Sequence, residues 1–416
     1  MKFETLCCCG FLLLSEVGPT GSAQEWTRFR GPNGSGISDA KTIPTTWNER
    51  DLNWKIQLPG VGHSSPVLWG EQIFLTSNDE KAGKRSVLCL NATDGTIAWR
   101  RDFDLVPFER HQYNSLASAT PAVEADRVYV AWNTPEHYTL MAFDHNGKTI
   151  WERDLGAFKS QHACGSSPII YKDTVILDSD QDGDSAIFAV DKRSGEIRWK
   201  VPRKIAVTAY STPCLYEVKG KKPAIIFNSQ AHGITAIDPE NGKVLWEYAN
   251  AFDKRTVSSP FIASGLIMGS CGSGGGGNYV VAIRPGDGEK KPELAYEIRR
   301  SAPYVPTPVS VGDLLFLWGD SGILSCVHGP SGEIKWQERV SGDFFGSPVY
   351  VDGRLICVSA TGEVVVVEAS DQFRPLARIP LGETCRSTPA IAGGRMYIRT
   401  VSHLFSVGGK KETPSK

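Results

Sequence analysis

Short alternations of apolar and polar residues, bounded by Gly, Pro, Asn and Asp, run along the chain from Trp54 to Val407. In the first complete unit they fall at Pro66–Trp69, Gln72–Ser77, Ser86–Asn91 and Ile97–Asp102. A period of two over runs this short predicts four β-strands, A to D, joined by turns. The unit then recurs. Its clearest marker is Ser or Thr followed by Pro at the head of strand A: Ser65-Pro66, Thr120-Pro121, Ser167-Pro168, Thr212-Pro213, Ser259-Pro260, Thr307-Pro308, Ser347-Pro348 and Thr388-Pro389. Successive prolines lie 40 to 55 residues apart, about one four-stranded propeller blade each.

A second marker is a turn glycine with Trp four positions on, as in Gly95/Trp99, Gly147/Trp151, Gly195/Trp199, Gly242/Trp246 and Gly332/Trp336. Trp54 lacks the glycine, a degenerate copy ends near Tyr296, and one near Ala377 has lost its aromatic. A small residue precedes each turn, as in Ala189-Val190-Asp191. Cys89 and Cys326 occupy the same slot, which reads them as small buried hydrophobes.

A sheet with two apolar faces needs a neighbour on each, and a ring supplies both. The repeats begin with a lone D strand, Asn53–Leu58, and end with A, B and C strands at Pro389, Arg395–Thr400 and His403–Val407. The expectation is an all-β, eight-bladed propeller of four-stranded antiparallel blades, in which the N-terminal strand completes the last blade. An open solenoid of the same units does not explain the offset ends, and unbroken repeats argue against a two-domain enzyme. The division expected is a signal peptide at 1–23, an N-terminal extension at 24–52, the propeller at 53–407 and a disordered tail at 408–416.

Charge adds an exclusion. With 45 Lys+Arg against 46 Asp+Glu the net charge is −1, which provides no basic field for nucleic acid. Lys2, the apolar run Leu6–Leu14 and Gly21-Ser22-Ala23 have the form of an export signal, too short to span a bilayer. A periplasmic or secreted monomer without a transmembrane segment is expected. Of 10 cysteines, three (Cys7, Cys8, Cys9) lie in that leader, and the rest are scattered, which is not a disulfide framework.

The pattern Ala-x-Asp-x-x-x-Gly-x-x-x-Trp, complete at Ala189–Trp199 and Ala236–Trp246, resembles the pyrroloquinoline-quinone-like (quinoprotein-type, BamB-like) propeller repeats. Phe29-Arg30-Gly31-Pro32-Asn33-Gly34 followed by Gly62-His63-Ser64-Ser65-Pro66 is similar to a group of exported bacterial propellers. The resemblance covers roughly residues 26–407. It implies that the repeat tryptophans dock between blades, and it makes pyrroloquinoline quinone and Ca²⁺ the candidate cofactors. Members include quinone-dependent alcohol and sugar dehydrogenases and non-catalytic propellers such as the BamB-type assembly factor. Adjacent cysteines, typical of the alcohol dehydrogenases, occur here only at Cys7–Cys9.

Chain geometry puts the short A–B and C–D turns on one face and the longer D–A and B–C connections on the other, where any ligand is expected to bind. Residues three positions before each repeat proline should ring the channel there: His63, Ser118, Gly165, Tyr210, Val257, Val305, Phe345 and Arg386. The candidate cofactor or ligand contacts on this face are His63, His162, Arg203, Tyr210 and Arg386. His111 with Glu109, Arg110 and Tyr113, and Lys204, are further polar loop residues. Asp178-Ser-Asp180-Gln-Asp182-Gly183-Asp184 places oxygens at alternate positions before a glycine, as calcium loops do, but Ala189 stands where the closing acid belongs. Asp178, Asp180 and Asp182 are therefore candidate calcium ligands. Ser270–Gly277 is glycine-rich but opens no helix, and no hydrolase elbow, zincin or Cys-x-x-Cys motif occurs. These observations favour an exported, non-catalytic scaffold that binds a protein or small-molecule ligand on its long-loop face. The alternative is a quinone-dependent alcohol or sugar dehydrogenase.

Overall fold

The computed structural model describes residues 26–287 and 289–409. The export signal expected at 1–23 and nearly all of the tail lie outside the described residues. Eight sheets follow one another along the chain, each ordered A-B-C-D, and one gains a fifth strand. Blade 1 consists of Val67–Trp69, Gln72–Asp79, Lys84–Asn91 and Ile97–Asp104, so its B, C and D strands extend two residues beyond the sequence limits. Blade 8 is closed as the offset ends imply. Leu52–Gln57 pairs antiparallel with His403–Gly408, with Trp54 opposite Ser406 and Gln57 opposite His403. This latch ties the start of the repeats to their end, so no sheet of the ring is left with an uncovered face.

The glycine–tryptophan marker has a mechanical explanation. Five of the D-strand aromatics (Trp54, Trp99, Trp151, Trp199 and Tyr296) lie against the turn glycine of the next blade. A Cβ on Gly147 would come 2.7 Å from Trp99, one on Gly195 2.7 Å from Trp151, and one on Gly242 2.9 Å from Trp199. The indole N–H then donates to a carbonyl of that turn, from Trp99 to His145, Trp151 to Lys192 and Trp199 to Pro239, at 2.7 to 3.1 Å. Trp54 does the same on Gly95, donating to Ala92, and Tyr296 takes the place of Trp on Gly332. In seven of the eight blades a small residue sits opposite the aromatic, as where Cys89 faces Trp99, Ala189 faces Trp199 and Cys326 faces Trp336, whereas blade 7 pairs Val366 with Ala377. A β-bulge beside each pair re-aims the D strand so that the ring reaches the neighbouring blade. All seven described cysteines are free and buried.

The Ser/Thr-Pro marker forms a belt. The hydroxyl of Thr120 accepts from the backbone N–H of Ser65, Ser167 from Thr120, Thr212 from Ser167 and Ser259 from Thr212. Thr307 accepts from Ser259, Ser347 from Thr307, Thr388 from Ser347, and Ser65 accepts from Thr388. Eight bonds of 2.9 to 3.1 Å thus pass from blade to blade and return to their origin. Ser and Thr alternate strictly around the circuit. The Ser64–Arg399 contacts reinforce the closing seam, since the buried Arg399 donates to Ser64 O, Ser64 Oγ and Thr76 O at 2.6 to 3.0 Å.

The segment from Trp26 to Ser38 laces the inner strands together. Trp26 O accepts from Leu68 N in blade 1, Thr27 O from Val123 N in blade 2, and Gly36 O from Tyr350 N in blade 7. Asn33 exchanges two hydrogen bonds with the Leu215 backbone in blade 4, and Arg30 donates to Pro308 O in blade 6. Ile37–Ser38 adds a parallel strand to blade 7. The extension therefore crosses the axis beneath the belt.

Candidate functional site

An axial funnel of about 1170 Å³ opens on the face carrying the D–A and B–C connections. All eight residues three positions before the repeat prolines line it, from His63 through Tyr210 to Arg386. They do so because each D–A connection turns inward to start the innermost strand at the same height. Seven of the eight belt residues form the next layer down, and Phe29 of the extension lines the base.

The long connection between blades 1 and 2 reaches across the mouth. Its Tyr113 ring lies 5.4 Å from Phe345 of blade 7, and the Arg386 guanidinium stands 4.5 Å from Tyr113 and 5.4 Å from Phe345. His111 follows 5.0 Å from Tyr113 and 4.4 Å from His162, which packs edge-on to Tyr210 at 5.6 Å. Arg255 stands 5.7 Å from the Tyr210 ring. A band of rings and guanidinium groups thus spans the rim.

The funnel is rich in donors. The hydroxyls of the belt accept backbone N–H groups, and none donates to a protein acceptor among the described residues. His63 Nδ1, Arg386 Nε and Arg255 Nε are shut off from solvent without a partner. Burial, with Arg399, Arg386 and Arg110 nearby, pushes the His63 imidazole down to about 3, so it is neutral at ordinary pH. Burial beside His111 and Arg255 lowers His162 to about 4. Against these stand two lining carboxylates, Asp320 and Asp343. Asp320 accepts from Tyr304 N at 2.6 Å and Val305 N at 3.0 Å, while burial raises its pKa.

Of the residues singled out in the sequence, His63, His162, Tyr210 and Arg386 converge here, together with His111 and Tyr113. Arg203 does not. It is the last residue of a D strand, with its side chain 1 % exposed, and it holds Asp180 at 3.1 to 3.2 Å and the hydroxyls of Ser229 and Thr235. Burial selects that partner, because a charge taken out of water needs a counter-charge. The same pairing bears on the acidic loop. Asp182 Oδ1 accepts from Thr208 N and Oγ1, Asp178 Oδ1 accepts from Asp180 N, and burial followed by Asp180 raises the Asp178 pKa. Protein donors thus engage all three carboxyl groups. Among the described residues, no group of three or more His, Cys, Asp and Glu is arranged to hold a metal ion.

Sequence reasoning did not find Phe29, Arg255 or the belt hydroxyls as site components. The strict Ser/Thr alternation was the available signal for the belt, and Phe29 lies outside the repeat.

Ring, belt and axial funnel define a closed repeat propeller with its cavity on the long-loop face. The family described as "Outer membrane protein assembly factor BamB" matches residues 83–299 and 276–374, and the chain belongs to this PQQ-like, BamB-type propeller family. BamB from Moraxella catarrhalis is similar in structure, with TM-score 0.60 and 14% identity over 87% of this chain and 100% of that one. The quinohemoprotein alcohol dehydrogenase ADHIIG from Pseudomonas putida HK5 gives TM-score 0.66 and 12% identity over 94% and 82%. A europium-containing methanol dehydrogenase gives 0.56 and 12% over 83% and 89%. At these identities the likenesses show a shared fold alone. Comparison with curated proteins gives no match.

Proposed function

We propose that this chain is an exported, non-catalytic propeller that binds a partner or ligand in the axial funnel of its long-loop face. The supporting observation is the funnel itself: a wide cavity over a floor crossed by the chain's own extension, walled by rings and by donors without acceptors. Concave, largely preformed sites with a few convergent polar groups are where ligands bind. Export rests on the leader-like N-terminus.

The fold family also implies a quinone with calcium. The funnel has room for a planar acid, and His63, His162, Tyr210 and Arg386 would face it. The metal half does not fit, because among the described residues no group of three or more His, Cys, Asp and Glu is arranged to hold a metal ion and Asp320 is already engaged by two backbone N–H groups. No chemical step is derived through that pair.

The test joins two measurements. A photo-reactive residue at Tyr113 should capture a partner or ligand from the cell envelope, whereas one at Asp352, on an A–B turn of the opposite face, should not. Purified protein mixed with the quinone, Ca²⁺ and an acceptor dye should show no alcohol- or sugar-dependent dye reduction. Stoichiometric quinone with turnover, or capture at Asp352 alone, overturns this reading.

A further inference from the structure

We infer that the seam between blades 8 and 1 is a carboxylate receptor, built by Arg386 and His63 over the hydroxyls of Thr388 and Ser65. The inference rests on the funnel being the ligand site and names the chemistry it takes.

Four donors converge where the ring closes. Arg386 and His63 each stand two residues before a belt residue, Thr388 and Ser65, and those two are joined to each other by the Thr388 N–H to Ser65 Oγ bond of 3.0 Å. All four residues line the funnel. The Ser65 and Thr388 oxygens each accept one backbone N–H, and each hydroxyl proton remains undonated among the described residues and can be offered to a ligand. His63 Nδ1 is enclosed and bonds to nothing, and Arg386 makes no hydrogen bond or ion pair among the described residues.

The rings fix the direction of the guanidinium. Tyr113 and Phe345 pack to one side of it, at 4.5 and 5.4 Å with their centroids 5.4 Å apart, and its two Nη groups, which have no acceptor among the described residues, are left for a ligand. A planar fork of this kind matches the two oxygens of a carboxylate. The surroundings set the sign: the buried Arg399 lies beneath the seam without a carboxylate partner, and His63 is held neutral by burial, with Arg399 and Arg386 acting in the same direction. A neutral polar group would leave that positive field uncompensated, whereas a carboxylate satisfies field, fork and protons together. The apolar faces of Tyr113 and Phe345 would flank the group that carries it.

The carboxylate can end a partner's polypeptide chain or belong to a small free acid, and titration calorimetry separates these. The probes are acetyl-Ala-Phe as the free acid, its C-terminal amide, succinate and inorganic phosphate, titrated into the full chain. The free-acid peptide should bind at least about tenfold more tightly than the amide. Arg386→Gln should remove that preference, and Arg386→Lys should recover only part of it, because charge without the fork is a weaker match. Unchanged melting temperatures of both variants would show that they fold. Succinate binding as tightly as the peptide assigns a small acid, and peptide preferred over succinate assigns a chain terminus; either supports the receptor. Equal affinity for acid and amide, Arg386-dependent binding of phosphate but not carboxylate, or no binding of any probe overturns it. Failure of the funnel reading would appear separately, as loss of Tyr113 crosslinks.

Discussion

Replacing Trp199 with alanine tests how one blade is fastened to the next. The ring is 9 % exposed, its Nε1 donates to Pro239 O at 3.1 Å, and it lies on the Cα of Gly242. Removing it should cost about 3–5 kcal/mol, as for other buried large-to-small changes. Gly242→Ala attacks the same contact from the other side. Gly242 has φ +76°, and its new methyl would meet Trp199 Cε3 at 2.9 Å and Val201 Cγ2 at 3.0 Å. Left-handed strain of about 1–2 kcal/mol and overpacking of about 1–3 kcal/mol should add. In the double variant the ring is gone, so most of the steric part disappears and only strain and the Val201 contact remain. The two lesions should therefore be less than additive by about 1–3 kcal/mol. Urea unfolding followed by fluorescence of the remaining tryptophans measures all four corners of the cycle. Additivity within about 0.5 kcal/mol would refute the claim that the glycine is there to admit the ring.

Three further outcomes follow from other contacts. Thr212→Val keeps the shape but strips the acceptor from the buried Ser167 N–H, and should cost about 1–3 kcal/mol in the same unfolding assay; no change would mean the belt contributes no stability. His63 titrates near 3 when folded against an ordinary 6.5, so as pH falls the unfolded chain takes the proton first. Its destabilising effect is absent above pH 6.5 and grows down to about 3, and His63→Gln should flatten that part of the stability–pH curve; an unaltered slope sinks the assignment. Asp180→Ala strands the buried Arg203 and should cost about 3–5 kcal/mol with or without millimolar calcium. A calcium-dependent rise in melting temperature that this change abolishes would make the acidic loop a metal site instead.

The architecture was readable because repetition averages out local ambiguity. Eight copies of Ser/Thr-Pro set the count, and the orphan strand at Asn53–Leu58 announced the closure now seen at Leu52–Gln57. Height in the funnel followed from the same register, which is why a fixed offset of three found eight lining positions. Features outside the repeat were harder. Arg203 looked like a loop cation because nothing local reveals a partner 23 residues earlier in a different strand connection. The reach of Tyr113 to blade 7 depends on the path of a long connection, and length alone gives no direction. Trp26 to Ser38 has no periodicity, so nothing in its sequence reveals its path beneath the belt.

The circuit of hydroxyls carries a rule of parity. Two kinds of bead, threaded in turn, meet without a clash of kinds only when their number is even, and here the last threonine, Thr388, hands on to the first serine, Ser65. Adding or losing a single blade would force two like beads together at one joint, where a methyl group would be either duplicated or missing. A ring of this design can grow or shrink without such a flaw only by pairs of blades.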